Sequence, residues 1–155
     1  MTQRLHIPIH LRWADLDAFG HVNNVQVARL LEEARVRAFW KDESTDAFPT
    51  AVVDSGPTAS TWTLIARQEL EYLVPMPYFT APVDVQAWFS KIGGASIDIC
   101  YEVYSPHGSE QVLHYKAQTT LVLVDSSTQA PRRINPAERA SWEPYLGEAL
   151  TFRRS

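Results

Sequence analysis

The side chains whose types and spacing could do chemistry lie in one segment, which reads RWADLDAFGHVNNVQVARLLEEARVRAFW. Two acids two residues apart, Asp15 and Asp17, come shortly before His21 and the pair Asn23 and Asn24. A carboxylate can act as a base or as a nucleophile. The free N–H groups at the start of a helix favour an oxygen that carries negative charge. The two features together predict a site that can attack a carbonyl group.

One long helix is predicted to follow these polar residues and to position them. Asn23 and Asn24 are typical N-cap residues, and the pattern continues to about Trp40. Its alanines keep one face thin, so a sheet could pack closely around it. The apolar residues of that face recur at helical spacing: Val27, Leu30, Leu31, Ala34 and Ala38.

Strands are predicted on both sides of this helix. Apolar and polar residues alternate over 5–13, 61–72, 83–92, 97–104 and 111–125, with a further short strand considered at 50–53. Pro8 indicates an open edge on the first strand, because proline cannot donate a ladder hydrogen bond. Gly93 and Gly94 suit the positive φ angles of a tight hairpin. Asn135, Pro136 and Glu138 predict a short helix that runs to about Tyr145.

These elements, in the order β-α-β-β-β-β-α, predict an α+β fold in which one antiparallel sheet packs against one long helix. The strands after the long helix follow one another closely, which predicts an antiparallel meander. At 155 residues the chain is expected to form a single domain over residues 1–155.

Charge, cysteine content and hydropathy indicate which binding partners and which cellular compartment to expect. The formal net charge of −4 shows no basic excess, which argues against nucleic acid. Cys100 is the single cysteine, so no internal disulfide can form, and this suits a reducing cytosol. No segment has the apolar length of a signal peptide or a membrane span, so we expect a soluble, cytoplasmic protein with no membrane partner.

The loop motif and its surroundings resemble the hot-dog fold, and most closely the thioesterases of the 4-hydroxybenzoyl-CoA thioesterase-like group. The plant acyl-ACP thioesterases are also similar in their loop, although Phe19 stands where they carry an asparagine. The likeness spans essentially the whole chain. The matching residues are Asp15, Asp17, Gly20–Asn24, Glu33–Arg35, Glu69–Tyr72, Ile92–Gly94, Tyr101–Val103, Val124–Asp125 and Pro131–Ile134.

The resemblance implies a hot-dog acyl-CoA thioesterase that releases a free acid and coenzyme A. The second acid of the D-x-D motif would be the catalytic carboxylate, which places that role on Asp17. The backbone N–H near Asn24 would hold the thioester oxygen, and His21 would be an auxiliary group. No metal or organic cofactor is implied, and the enzyme would be a homodimer or homotetramer with its sites at the subunit interface.

Each of these roles has a simpler structural alternative. Asp17 could cap a turn before the helix, and His21 could merely fill the loop and bond a backbone group. We expect Asp15 to hydrogen-bond the loop backbone. Asn23 is expected to contact the substrate, and it could also simply cap the helix.

The remaining candidates lie outside the loop. Arg67, Arg132 and Arg133 could meet the phosphates of coenzyme A or could remain solvated. Cys100 lies in mid-strand and is interpreted as a packing residue. The histidines outside the loop show no zinc-ligand spacing: His6, His10, His107 and His114.

Two other functions stay open at this point. One is hydrolysis of thioesters of acyl carrier protein instead of coenzyme A. The other is a non-catalytic protein that binds acyl-CoA on the same fold, since fold does not fix function.

Overall fold

A computed structural model describes residues 3–44, 46–54, 56–108 and 110–153 of the chain. Two helices, α1 (Asn24–Phe39) and α2 (Pro136–Trp142), accompany a five-stranded sheet. The strands are β1 (Leu5–Ile9), β2 (Thr61–Tyr72), β3 (Val83–Ile92), β4 (Ser96–Tyr104) and β5 (Leu113–Asp125). This order of elements is the one that the sequence predicts.

The sheet has the strand order β1-β3-β4-β5-β2, and every neighbouring pair is antiparallel. β3, β4 and β5 form the predicted meander, but the prediction is wrong for β2, which pairs with β5 instead of β3. A tight hairpin from β2 to β3 is prevented because three prolines interrupt the connection: Pro75, Pro77 and Pro82. β1 and β2 are therefore the two edges of the sheet.

The central helix and the sheet share one apolar core. All five apolar positions predicted for the helix face are buried: Val27, Leu30, Leu31, Ala34 and Ala38. They belong to the same cluster as the inward side chains of β3 and β4, among them Val85, Phe89, Ile97 and Ile99. The small alanines let the sheet curve closely around α1, which confirms the predicted packing of one antiparallel sheet around one long helix.

Three local predictions are wrong. β1 stops at Ile9, and Trp13–Asp15 forms a 3₁₀ turn instead of continuing the strand. The segment 50–53 contributes only a single bridge between Val53 and Trp40.

The third error concerns the hairpin glycines, since neither Gly93 nor Gly94 adopts a positive φ. A Cβ at position 93 would lie 3.1 Å from Ser96 Oγ, so a larger residue there would require the Ser96 side chain to shift by a few tenths of an ångström.

β2 is more exposed than a half-covered strand would be. Trp62, Leu64 and Ile65 expose 40%, 48% and 43% of their surface. The cause is the edge position, because β5 covers only one side of the strand and no other described element lies on its outer side.

α2 begins as predicted. Asn135 caps it, Pro136 occupies the first helical position, and Glu138 completes a reciprocal capping box with Asn135. The chain then continues as a 3₁₀ turn, Glu143–Tyr145. Within the described ranges, neither helix combines the length and the apolar character that crossing a membrane requires.

Candidate active site

The polar loop before α1 folds back on itself as a small hairpin. Leu16 and Val22 form an antiparallel bridge, and the N–H of Asp17 donates to the carbonyl of His21 at 2.7 Å. Gly20 turns the chain with a φ of 78°, a conformation that glycine adopts without strain. Asp17 and His21 thus lie opposite each other, and Asp15 lies opposite Asn23.

Asp15 is a structural residue of this loop. It is buried, and its carboxylate accepts the Arg12 backbone N–H at 2.7 Å and the Arg12 guanidinium at 3.0 Å. Its own carbonyl accepts the N–H of Asn23 at 2.8 Å. Asp15 therefore joins the two ends of the loop, and the predicted hydrogen bond to the loop backbone is confirmed.

Asp17 is half-buried and uses only one of its carboxylate oxygens for the fold. Oδ1 accepts the backbone N–H groups of Phe19 at 2.8 Å and His21 at 3.2 Å. Oδ2 has no hydrogen-bond partner among the described residues. The turn-capping role and a chemical role are therefore compatible, since each would use a different oxygen.

The start of α1 presents one backbone donor without an acceptor. Asn23 is the N-cap: its side chain accepts from Val25 at 3.0 Å, and its carbonyl accepts from Gln26 at 2.9 Å and Val27 at 3.2 Å. The N–H of Asn24 alone among these has no acceptor in the described part of the chain. This donor, at the positive end of the helix dipole, suits an oxygen that gains negative charge.

His21 lies on the outside of the loop. Its backbone forms a bridge with Pro77, and its exposed ring makes no hydrogen bond to any described residue. Phe19, whose side chain is 83% exposed, stands beside it on the same turn. The ring is free to reach a ligand, and the fold does not require it.

Two tyrosines that the sequence reasoning missed adjoin the helix start. The Tyr72 hydroxyl donates to the carbonyl of Asn24 at 3.4 Å, and the rings of Tyr72 and Tyr115 meet edge to face with centroids 5.8 Å apart. Burial is the main cause that raises the pKa of Tyr115 to about 12; a hydrogen bond with the Met76 backbone opposes this rise, and electrostatic interaction with Tyr72 and Asp17 contributes to it. The phenol thus stays protonated at neutral pH, close enough to Asp17 to sense its charge.

Of the four residues predicted to bind the substrate, Asn23 lies at this loop, whereas the three arginines do not. The Asn23 side chain is engaged in the helix cap. Arg67 is exposed on β2, 3.8 Å from Glu69. Arg132 donates to Thr61, to the carbonyl of Arg133 and to Glu138. Arg133 is exposed and has no carboxylate partner among the described residues.

The separation along β2 shows how far apart these groups lie within one chain. Arg132 binds Thr61 at the first residue of β2, whereas Tyr72 at the last residue contacts Asn24. At roughly 3.3 Å per residue, the two ends are about 35 Å apart along the strand. Arg132 and Asp17 therefore do not belong to one site within a single chain.

A partly apolar cleft lies beside the other half of the helix. It encloses about 310 Å³ between α1, β2 and β5, and its apolar lining includes Val36, Phe39, Ile65 and Leu121. Its first helical residue is Glu32, roughly 12 Å along the helix from Asn24 at 1.5 Å per residue. An extended chain could reach this cleft from the helix start.

Cys100 is buried in β4, and burial raises the pKa of its thiol. The thiol is therefore poorly disposed to form the thiolate that nucleophilic attack requires. Its interpretation as a packing residue agrees with this environment.

Comparison with known proteins identifies the family. The family model described as the thioesterase-like superfamily matches residues 11–150. No curated protein matches the chain.

Solved structures with the same fold cover nearly the whole chain. A predicted thioesterase from Bacillus stearothermophilus is 23% identical with a TM-score of 0.72, and the match covers 95% of this chain and 99% of that one. A thioesterase superfamily protein from Jannaschia sp. CCS1 is 22% identical, with a TM-score of 0.69 and coverage of 94% and 85%. The DHNA-CoA thioesterase from Staphylococcus aureus is 16% identical, with a TM-score of 0.68 and coverage of 90% and 89%. These likenesses confirm the predicted hot-dog fold.

Proposed function

The chain belongs to the thioesterase-like superfamily, and on that premise we propose that it hydrolyses an acyl-CoA to the free acid and coenzyme A. The observation that carries the proposal is that the loop and the start of α1 hold two polar groups without a hydrogen-bond partner in the described part of the chain. They are the N–H of Asn24 and the Oδ2 of Asp17, neither of which has a hydrogen-bond partner among the described residues. Thioester hydrolysis needs one donor for the carbonyl oxygen and one carboxylate for attack.

The proposed reaction begins with the thioester oxygen accepting the N–H of Asn24. As the carbonyl carbon is attacked, negative charge develops on that oxygen, and the helix dipole of α1 stabilises it. Asp17 either takes a proton from the attacking water or attacks the carbon itself to form an anhydride that water then cleaves. The thiolate of coenzyme A leaves in both routes. His21 would orient the water or the carbonyl as an auxiliary group.

The proposed binding mode places the acyl group along α1. The apolar cleft of about 310 Å³ would take an acyl chain, whether aliphatic or aromatic. Arg67, Arg132 and Arg133 would meet the phosphates of coenzyme A, with Asn23 at the entrance. Because Arg132 lies at the opposite end of β2 from Asn24, this arrangement requires a second subunit to complete each site. The chemistry uses only side chains, backbone and water.

The first test replaces Asp17 by asparagine. The Asp17→Asn side chain keeps an oxygen that can accept from Phe19 and His21, so the turn is preserved while the charge is lost. Thiol release measured with DTNB over short, long and aromatic acyl-CoAs should then fall by about 10²–10⁴ in kcat, the usual value of a positioned base. Thermal unfolding should be unchanged.

The matched control is Asp46→Asn, which removes an equal charge from an exposed aspartate of the 41–60 connector. It should retain full turnover. Near-normal turnover in folded Asp17→Asn would remove Asp17 from the mechanism. Binding of acyl-CoA without any thiol release by the unaltered chain would identify a non-catalytic binding protein, and release only from acyl-carrier-protein thioesters would identify the other carrier.

A further inference from the structure

Three side chains that are far apart in the sequence meet on the outer face of the sheet near β1. His6 lies on β1, Asp84 on β3, and His107 in the turn between β4 and β5. His6 Nδ1 lies 3.2 and 3.3 Å from the two Asp84 oxygens, and His107 Nε2 lies 3.3 Å from Asp84 Oδ2. One donor atom from each residue lies within 4.8 Å of the others.

The carboxylate at the centre of this cluster is buried, whereas its two imidazole partners face solvent. The Asp84 side chain is only 2% exposed, compared with 54% for His6 and 68% for His107. Gln86 Nε2 donates to Asp84 Oδ2 at 2.9 Å and orients the carboxylate. Arg4, which also contacts Gln86, forms its ion pair with Glu102 and not with Asp84. The negative charge of Asp84 therefore has no permanent cation beside it among the described residues.

The donor set and its spacing suit zinc. Two imidazole nitrogens and one carboxylate oxygen are preferred ligands of Zn²⁺, whereas Mg²⁺ and Ca²⁺ prefer oxygen alone. With tetrahedral geometry and bonds of about 2.0–2.1 Å, neighbouring ligand atoms lie roughly 3.3 Å apart. Asp84 Oδ2 lies 3.3 Å from both His6 Nδ1 and His107 Nε2, which matches that separation. Zinc can hold the three ligands and leave a fourth position to water.

We propose that His6 Nδ1, an Asp84 carboxylate oxygen and His107 Nε2 bind one Zn²⁺ ion per chain. The ion would fasten the short edge strand β1 and the β4–β5 turn to the central strand β3. Gln86 would act as an outer partner that fixes the carboxylate, as the neighbours of metal ligands commonly do. The site is independent of the loop that carries Asp17 and does not depend on thioester hydrolysis.

The test titrates ZnCl₂ into the full chain by isothermal calorimetry, after the protein has been treated with EDTA and the chelator removed. The unaltered chain should bind one equivalent. His6→Gln and His107→Gln should each weaken binding by more than about 100-fold, because loss of a ligand costs more than the roughly 10–100-fold cost of losing an outer partner. Both residues are exposed, so neither substitution should prevent folding.

The control is His10→Gln, which removes another exposed histidine just after β1 that takes no part in the cluster. It should bind Zn²⁺ as the unaltered chain does. Zn²⁺ should also raise the Tm of the unaltered chain and of His10→Gln, and not that of His6→Gln. Equal zinc affinity in all variants, or no binding by the unaltered chain, would overturn the proposal and leave a hydrogen-bonded His–Asp–His cluster.

Discussion

At the scale of single residues, Asn24 offers a direct test of a backbone donor. It is the first residue of α1, the helical position at which proline is tolerated, and Asn23 before it has the extended conformation that a residue preceding proline prefers. Asn24→Pro therefore removes one N–H that has no acceptor among the described residues. We expect kcat for acyl-CoA hydrolysis to fall by about 10²–10³, the cost of losing one oxyanion donor, with little change in Tm.

The control for this prediction is Asn24→Ala. It removes an exposed side chain and keeps the N–H, so turnover should stay near that of the unaltered chain. If both variants lose turnover equally, the asparagine side chain and not its backbone is responsible. If neither loses turnover, the helix start does not hold the thioester oxygen.

Sequence reasoning finds residues that are close in the chain more readily than residues that the fold brings together. Asp17, His21 and Asn24 lie within one loop, and their types and spacing are enough to indicate a possible site. Tyr72 and Tyr115 adjoin that loop only because β2 and β5 pair in the register that places them opposite each other. No local pattern specifies that register.

At the scale of elements, α2 depends on one ion pair that should make stability depend on pH. Glu138 is buried and accepts two hydrogen bonds from Arg132, at 2.7 and 2.6 Å. Burial raises the pKa of Glu138, but the bonds from Arg132 and from the Asn135 N–H outweigh burial and hold the pKa below its ordinary value. The carboxylate therefore stabilises the fold above its unfolded-state pKa, and this contribution is lost as pH falls through its folded-state pKa.

We accordingly expect Glu138→Gln to lower the free energy of unfolding by about 1.5–3 kcal/mol at pH 7, the usual value of hydrogen bonds to a charged group. The difference from the unaltered chain should begin to shrink as pH falls below the unfolded-state pKa of about 4.3, and it should vanish only once pH has fallen through the lower folded-state pKa, where the carboxylate is protonated in both states. Urea unfolding at a series of pH values measures this.

Glu143→Gln is the control, since Glu143 is exposed and forms no salt bridge among the described residues. It should unfold like the unaltered chain at every pH. If the free energy of unfolding of Glu138→Gln stays below that of the unaltered chain by the same amount from pH 7 to pH 3, the assigned pKa direction is contradicted. A loss of packing that does not involve charge would then explain the lower stability.

The bounds of the helices and strands could largely be predicted from the sequence, but the position of each strand in the sheet could not. Helical spacing and the asparagine cap specify α1 to within about one residue, because its buried face needs a continuous apolar stripe. The alternation in β2 indicates a strand equally well. Alternation cannot tell that this strand lies at an edge, so the exposure of Trp62, Leu64 and Ile65 could not be foreseen.

At the scale of the whole molecule, the two edges of the sheet differ. β1 has five residues and carries Pro8, whose missing N–H disfavours pairing with a further strand. β2 has twelve residues, its outer edge is unpaired within the described chain, and its first half exposes the apolar side chains of Trp62, Leu64 and Ile65. A long unpaired edge with exposed apolar side chains is a surface on which another chain can pair, and proteins rarely leave one uncovered. The proposed sites also need a second subunit, and the same edge could supply it.

We therefore expect a homodimer, or a homotetramer built from such dimers, in which two copies of β2 lie side by side about a two-fold axis. Leu64→Lys should separate the subunits, since a two-fold interface carries each residue twice, and burial of the exposed half of two leucines contributes roughly 1.5–3 kcal/mol that is lost on substitution. The molar mass measured by analytical ultracentrifugation should then fall towards the 17.6 kDa of a single chain. Hydrolysis should fall with the dimer population.

Leu146→Lys serves as the matched control, because Leu146 is 42% exposed, close to the 48% of Leu64, but lies beside Phe89 and away from β2. It should leave assembly unchanged. A monomeric unaltered chain with full turnover would show that each site is complete within one chain. The arginines at the far end of β2 could then not hold the coenzyme A of a thioester bound at Asn24, because about 35 Å of strand separates them.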